Sequence, residues 1–225
     1  EHREELFPGA FLIFAGTDID TNHLNLRDER IAVTLQDTEI GGTLQAMLQL
    51  HPHTKQVLVV LDETEIGNAI RAELNEQHPL FKGQLSLPVL QVPKDGNMSQ
   101  VLYAVKALDN SSLVLCGLFD YDGSGIAINS SEATALISSH SRAPVYGLWD
   151  FQLGQGVVGG KLISGRILGE SAAALASQFL NGDKSPITQN SSAVLKFDRE
   201  QLQRFGISEK SLPQGSEVIN VRPTI

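Results

Sequence analysis

Several apolar stretches of this chain run straight into an acid. They read Phe14-Ala15-Gly16-Thr17-Asp18, Val60-Leu61-Asp62-Glu63, Leu118-Phe119-Asp120-Tyr121-Asp122 and Leu148-Trp149-Asp150-Phe151. Taken one at a time, an acid after a strand caps the helix that follows, as Asp62 or Asp120 would. Taken together, with the only tryptophan and with Phe119, Tyr121 and Phe151 in the same segments, they describe a rim of carboxylates and aromatic faces. Such a rim suits a small ligand with an amine at one end and an apolar or ring portion at the other.

Sharper motifs are present but lack their context. Gly154-Gln155-Gly156-Val157-Val158-Gly159 has the dinucleotide glycine spacing. That motif must follow a strand directly and open a helix, whereas here Trp149–Leu153 intervenes and a β-rich stretch follows. Asp120-Tyr121-Asp122-Gly123-Ser124-Gly125 matches the first half of a calcium loop, but position twelve is Ser131 and the acid Glu132 comes one residue late. His51-Pro52-His53 has no evident third metal ligand and reads as solvated loop. His140, in Ser138-Ser139-His140-Ser141, suits a helix C-terminus. Neither a nucleophile elbow nor a phosphate loop occurs. The expectation is a non-enzyme that needs no cofactor and no metal.

The elements that would position this rim alternate along the chain. Strand candidates are Ala10–Ala15, Ile31–Leu35, Gln56–Leu61, Leu87–Val92, Leu113–Phe119 and Val145–Leu148. Helical spacing joins Ile40, Leu44, Met47 and Leu48, then Met98, Val101, Leu102, Val105 and Leu108. Ser130 or Ser131 with Glu132 opens a third helix. This rhythm predicts an α/β fold, its parallel sheets covered by helices on both faces. The strands' carboxyl ends, where the acids sit, are then where a ligand binds. After Leu148 glycines crowd the chain and predict a loop, a strand over Val158–Ile163 and an irregular crossover. A long helix carrying Leu168, Ala172, Leu175, Ala176, Phe179 and Leu180 ends at Asn181-Gly182-Asp183. A strand Ala193–Phe197, a helix capped by Asp198 and an extended tail complete the pattern. Glu1–Phe7 reads as the last turns of a helix with no start signal, as if the chain began inside a domain.

At 225 residues, 41% hydrophobic and 19% charged, the chain can bury one large core or two lobes. No run approaches the roughly 20 apolar residues of a membrane helix. A net charge of −9 argues against a nucleic-acid or anionic-membrane surface. The single cysteine, Cys116, lies in an apolar run and reads as a small buried hydrophobe.

The C-terminal half carries a family pattern: Pro144-Val145-Tyr146-Gly147-Leu148-Trp149-Asp150-Phe151, Gly156-Val157-Val158-Gly159-Gly160, Ala193-Val194-Leu195-Lys196-Phe197-Asp198, Arg204-Phe205-Gly206-Ile207 and Leu212-Pro213-Gln214-Gly215-Ser216. These segments resemble the extracytoplasmic sensor regions of bacterial histidine kinases and diguanylate cyclases. Those regions are similar to ABC-transporter substrate-binding components of the type I periplasmic-binding-protein fold. The stretch Glu4-Glu5-Leu6-Phe7-Pro8-Gly9 with Phe14-Ala15-Gly16 resembles the middle of that family's first lobe. The resemblance implies a second lobe over residues 37–189, with 1–36 and 190–225 as an incomplete first lobe. It implies a ligand held by Gly16, Thr17, Asp18, Asp62, Thr64, Asp120, Tyr121, Trp149 and Asp150. The partner is then a small molecule, an amino acid or amine-bearing solute, and not nucleic acid. The protein implied is a periplasmic input domain of an inner-membrane sensor, touching the membrane only through segments outside these residues and signalling by cleft closure. A soluble ABC-transporter component is the alternative. An incomplete first lobe also leaves a sheet edge along Ala10–Ala15, which predicts a homodimer.

Overall fold

The computed structural model describes residues 2–16, 30–35, 38–81, 83, 85–92, 98–119, 128–182, 187–189 and 193–220. Its elements, in chain order, are α1 (Arg3–Leu6), β1 (Leu12–Gly16), β2 (Ile31–Leu35), α2 (Ile40–Leu50), β3 (Gln56–Asp62), α3 (Glu65–Phe81), β4 (Val89–Val92), α4 (Met98–Lys106), β5 (Ser112–Cys116) and α5 (Ser130–His140). Then come β6 (Val145–Tyr146), β7 (Gly159–Ile163), α6 (Gly165–Leu180), β8 (Ile187–Gln189), β9 (Ala193–Asp198), α7 (Arg199–Arg204) and β10 (Glu217–Ile219). They gather into two compact units, Glu1–Asp37 with Ser164–Ser192, and Thr38–Ile163 with Ala193–Ile225.

The larger unit is built on a four-stranded sheet, ordered β4-β3-β5-β6 and parallel throughout. Strand alternation divides its core in two. Val57, Val59 and Leu61 of β3 pack with Leu44 and Met47 of α2 and with Ile70 and Leu74 of α3. Leu58 and Val60 point the other way, onto Val101 and Val105 of α4 and Ala133 and Ile137 of α5. A strand covered on both faces can be apolar at every position, and six of the seven residues of β3 are buried. This is the α/β arrangement, with helices on both faces of a parallel sheet, that the sequence rhythm predicts.

A second sheet, ordered β10-β9-β7, belongs to the same unit, with β7 antiparallel to β9 and β10 parallel to it. It joins the first sheet through Val158 N donating to Val145 O at 2.7 Å and Gly147 N to Gly159 O at 3.1 Å. The backbones meet closely at Gly159 (φ +145°), where a Cβ would fall 2.3 Å from Lys196 O. The glycines of 154–160 thus open a strand rather than a helix, so the dinucleotide spacing there has no helix to place a phosphate on.

The smaller unit has a parallel sheet ordered β1-β2-β8. Helix α6 covers it, with Leu175 and Phe179 against Ala32 and the half-buried Ile13. Gly182 (φ +87°) closes α6, its amide donating to Phe179 O at 3.0 Å.

The division between units differs from the predicted one in the C-terminal half. Residues 193–225, expected beside 1–36, pair with β7 and belong to the larger unit, whereas 164–192, expected in the larger lobe, cover β1 and β2. The β7–β9 ladder decides this, since it binds Ala193–Asp198 residue for residue to Gly159–Ile163. Several strands are also shorter than expected: β4 starts at Val89, β5 ends at Cys116 and β6 ends at Tyr146.

Candidate functional site

Because β3, β5 and β6 are parallel, the segments after them leave the same edge of the sheet. Two strand spacings of about 4.8 Å separate β3 and β6 laterally by about 10 Å. Asp62 and Thr64 follow β3, and Trp149 and Asp150 follow β6. Gly16 ends β1 in the smaller unit. Thr17, Asp18, Asp120 and Tyr121, and the calcium-like loop Asp120–Gly125, lie outside the described residues.

Asp62 is 3% exposed, and its Oδ1 accepts from the Thr64 amide at 3.1 Å and the Thr64 hydroxyl at 2.6 Å. The same hydroxyl accepts from Gly67 N at 3.2 Å, which caps α3. A Cβ on Gly67 would sit 2.1 Å from Asp62 O, so only glycine lets α3 start this close to the strand. Gln91 completes the corner, donating to Asp62 O at 3.1 Å and Asn68 Oδ1 at 2.8 Å while accepting from Arg71 at 2.7 Å. Thr64, rather than Asp62, is thus the residue that caps α3, and Asp62 holds Thr64 in place.

The corner after β6 is different. Asp150 opens a turn of 3-10 helix, Asp150–Gln152, and is partly exposed. Its carboxylate has no side-chain partner among the described residues. Trp149 is 8% exposed and packs into the core below it. Phe151, 44% exposed, lies over the indole with ring centroids 6.4 Å apart and planes inclined by 28°. Asp150 is therefore an available acid beside a stacked, half-open aromatic pair. Phe119, counted with the rim aromatics in the sequence, is fully buried in the α4–α5 layer instead.

Sequence reasoning missed the side chain that builds this corner. Gln152 is completely buried, and its Oε1 accepts from Leu148 N at 2.9 Å and Trp149 N at 3.1 Å. Its Nε2 donates to Cys116 O and Gly117 O, both at 3.2 Å, and to Thr134 Oγ1 at 3.3 Å. It thus ties the Trp149–Asp150 loop to the end of β5 and to α5. Gly147 leaves room for it, since a Cβ there would lie 2.5 Å from Gln152 Oε1. A buried amide three residues after Trp149, preceded by that glycine, was the available signal.

Cys116 is the core residue the sequence predicts, its thiol pushed up to about 12 by burial. His51 departs from the solvated-loop reading. Its Nε2 lies 2.8 Å from the buried Tyr146 hydroxyl, and desolvation holds its pKa below the usual histidine value. His140 Nδ1 lies 2.9 Å from Leu136 O, at the C-terminus of α5. No group of three metal-ligating side chains, and no helix long and apolar enough to cross a membrane, occurs among the described residues.

No family model and no curated protein matches the chain. Solved structures do. A ligand-free, open substrate-binding protein with adhesive properties from Clostridium difficile matches with a TM-score of 0.60 at 13% identity, over 83% of this chain and 62% of that one. An ABC domain in complex with L-Trp from Streptococcus pneumonia matches with a TM-score of 0.63 at 15% identity, over 84% and 64%. A conserved domain protein from Vibrio cholerae matches at 0.56 and 15% identity, over 83% and 62%. The chain has the substrate-binding-protein fold. It spans 62–64% of the length of these chains. In this fold, as in open α/β sheets generally, the edge carrying Asp62 and Asp150 is where a ligand is expected.

A cavity of about 390 Å³ opens at the opposite edge, where β3, β5 and β6 begin. Pocket shape and strand-end chemistry therefore point to different places within the larger unit. We assign the principal site by the chemistry, because Asp150 and Phe151 stand at strand carboxyl ends whereas the cavity lies behind them.

Proposed function

We propose that the chain is a small-ligand-binding module that takes an amino acid or another amine-bearing solute at the carboxyl ends of its parallel strands. The observation that carries this reading is Asp150, a carboxylate without a side-chain partner among the described residues, set beside the Trp149–Phe151 stack. An ammonium group would pair with the acid while an apolar or ring portion lies on Phe151. Among the structural neighbours, one holds L-Trp, which favours aromatic amino acids as the first ligands to test. The resemblance of Pro144–Phe151 and Leu212–Ser216 to sensor regions favours an extracytoplasmic input domain of a bacterial membrane sensor, with ligand-driven closure as its signal. The neighbouring substrate-binding protein favours a second reading, a soluble component of an ABC transporter. Asp62, Thr64, Asp120 and Tyr121 remain candidates on the larger unit, and Gly16, Thr17 and Asp18 remain candidates on the smaller one.

A thermal-shift screen of amino acids, amines and sugars on the full extracytoplasmic region tests the ligand class. Stabilisation by aromatic amino acids is the expected result, and stabilisation by sugars alone would refute it. The coding sequence beyond Ile225 separates the two settings. An apolar run of about 20 residues supports the sensor, and a stop codon supports the transporter component.

A further inference from the structure

We propose that the cavity at the amino ends of β3, β5 and β6 is a second binding site, for a small carboxylate carried on an apolar body. The cavity holds about 390 Å³, within the range of about 300–1,000 Å³ for small-molecule pockets. Leu50, Leu113, Pro144 and Phe205 supply an apolar wall. Arg142, His51 and His53 stand around it, and no acid lines it, in a chain of net charge −9. Arg142 has no side-chain or carbonyl partner among the described residues. A second guanidinium, Arg204, stacks on Phe205 at 4.8 Å and donates to Ser141 O at 3.3 Å, next to Arg142 in sequence.

A structural explanation for these cations would be that α2 and α5 end here, exposing carbonyls. Arg142 is not among the donors to carbonyls near these helix ends. His51 N takes Met47 O, Ser141 N takes Ile137 O, and His140 reaches Leu136 O. Arg142 is thus left over. Asp109 is not part of the lining, and its carboxylate accepts from the Ser111 and Ser112 hydroxyls at 2.8 and 2.7 Å. A planar guanidinium that can fork onto a carboxylate, facing leucine and phenylalanine side chains, matches an aryl or branched-alkyl carboxylate better than inorganic phosphate, which would leave the apolar wall bare.

Titration of the whole chain with benzoate, with benzylamine as the opposite-charge control, tests this by calorimetry and amide chemical shifts. Benzoate is expected to bind, to shift the amides of Asn110, Leu113 and Ala143, and to lose about tenfold in affinity in Arg142→Gln. Arg142→Lys should recover part of that loss, and Phe205→Leu, which keeps an apolar side chain against the core, should weaken benzoate by removing the ring. Asp150→Asn should leave benzoate binding unchanged, which separates this site from the carboxyl edge. Absent benzoate binding, equal binding of benzylamine, or an Arg142→Gln variant with wild-type affinity would each overturn the proposal.

Discussion

Replacing Gln152 by methionine removes the hydrogen bonds of this side chain with little change in volume. Leu148 N and Trp149 N then lose their shared acceptor, now at 2.9 and 3.1 Å, inside a region that excludes water. Each orphaned buried amide costs about 1–3 kcal/mol. The carbonyls of Cys116 and Gly117 lose a donor as well. Allowing for partial relaxation of the loop, the expected loss is about 3 kcal/mol. At about 2–4 °C per kcal/mol for a domain of this size, the melting midpoint falls by about 6–12 °C. Gln152→Glu adds a diagnostic. A carboxylate accepts from both amides but faces the two carbonyls, so it stays protonated in the fold with a raised pKa. Its stability is then complete below the unfolded value of about 4.3 and is lost as pH rises from there through the raised folded one. Circular-dichroism melts of both variants across pH give the answer. A Gln152→Met midpoint within about 2 °C of wild type would refute the claim that this amide holds the corner together.

Further expectations follow from other contacts. Burial lowers the His51 pKa, so its stabilising contribution is complete above the unfolded value of about 6.5 and is lost as pH falls through the folded one. Denaturant titrations at neutral and mildly acidic pH should show a smaller acid loss for His51→Gln, and an unchanged slope would exclude His51 as its source. Gly67→Ala places a Cβ against the Asp62 carbonyl and should cost about 1–3 kcal/mol, read as a lower unfolding midpoint. The edge strand β1, with Phe7 63% and Phe11 46% exposed nearby, should pair two copies of the chain. Sedimentation should find a dimer that Phe7→Lys weakens, whereas a monomeric wild type would end that reading.

The larger unit was legible wherever pattern and packing agree. There β3 differs from its predicted bounds only by including Asp62, because a strand covered on both faces is apolar throughout, and in the smaller unit Ile31–Leu35 matches its predicted bounds. The Asp198 cap was legible too, its carboxylate accepting from Glu200 N at 2.9 Å. Helix α3 escaped because its buried residues, Gly67, Ile70, Leu74 and Phe81, are sparse among charged neighbours. The allegiance of 164–192 and 193–220 escaped for another reason. It depends on which strand β9 pairs with, a long-range choice that local composition does not encode. At the candidate site, the sequence reads Asp150 and Asp62 alike and has no means of separating Asp150, which has no side-chain partner among the described residues, from Asp62, whose Oδ1 accepts from Thr64. Partnering decides which acid is available, and partners appear only in three dimensions.

The most direct measurement is calorimetric titration of L-tryptophan and related amines into wild type and Asp150→Asn. A charge-assisted contact is worth about 1.5–3 kcal/mol, so the substitution should weaken binding about tenfold or more. Phe151→Ala should also weaken aromatic ligands more than aliphatic ones. Ligand binding with equal affinity in wild type, Asp150→Asn and Phe151→Ala would contradict a site at this edge of the sheet.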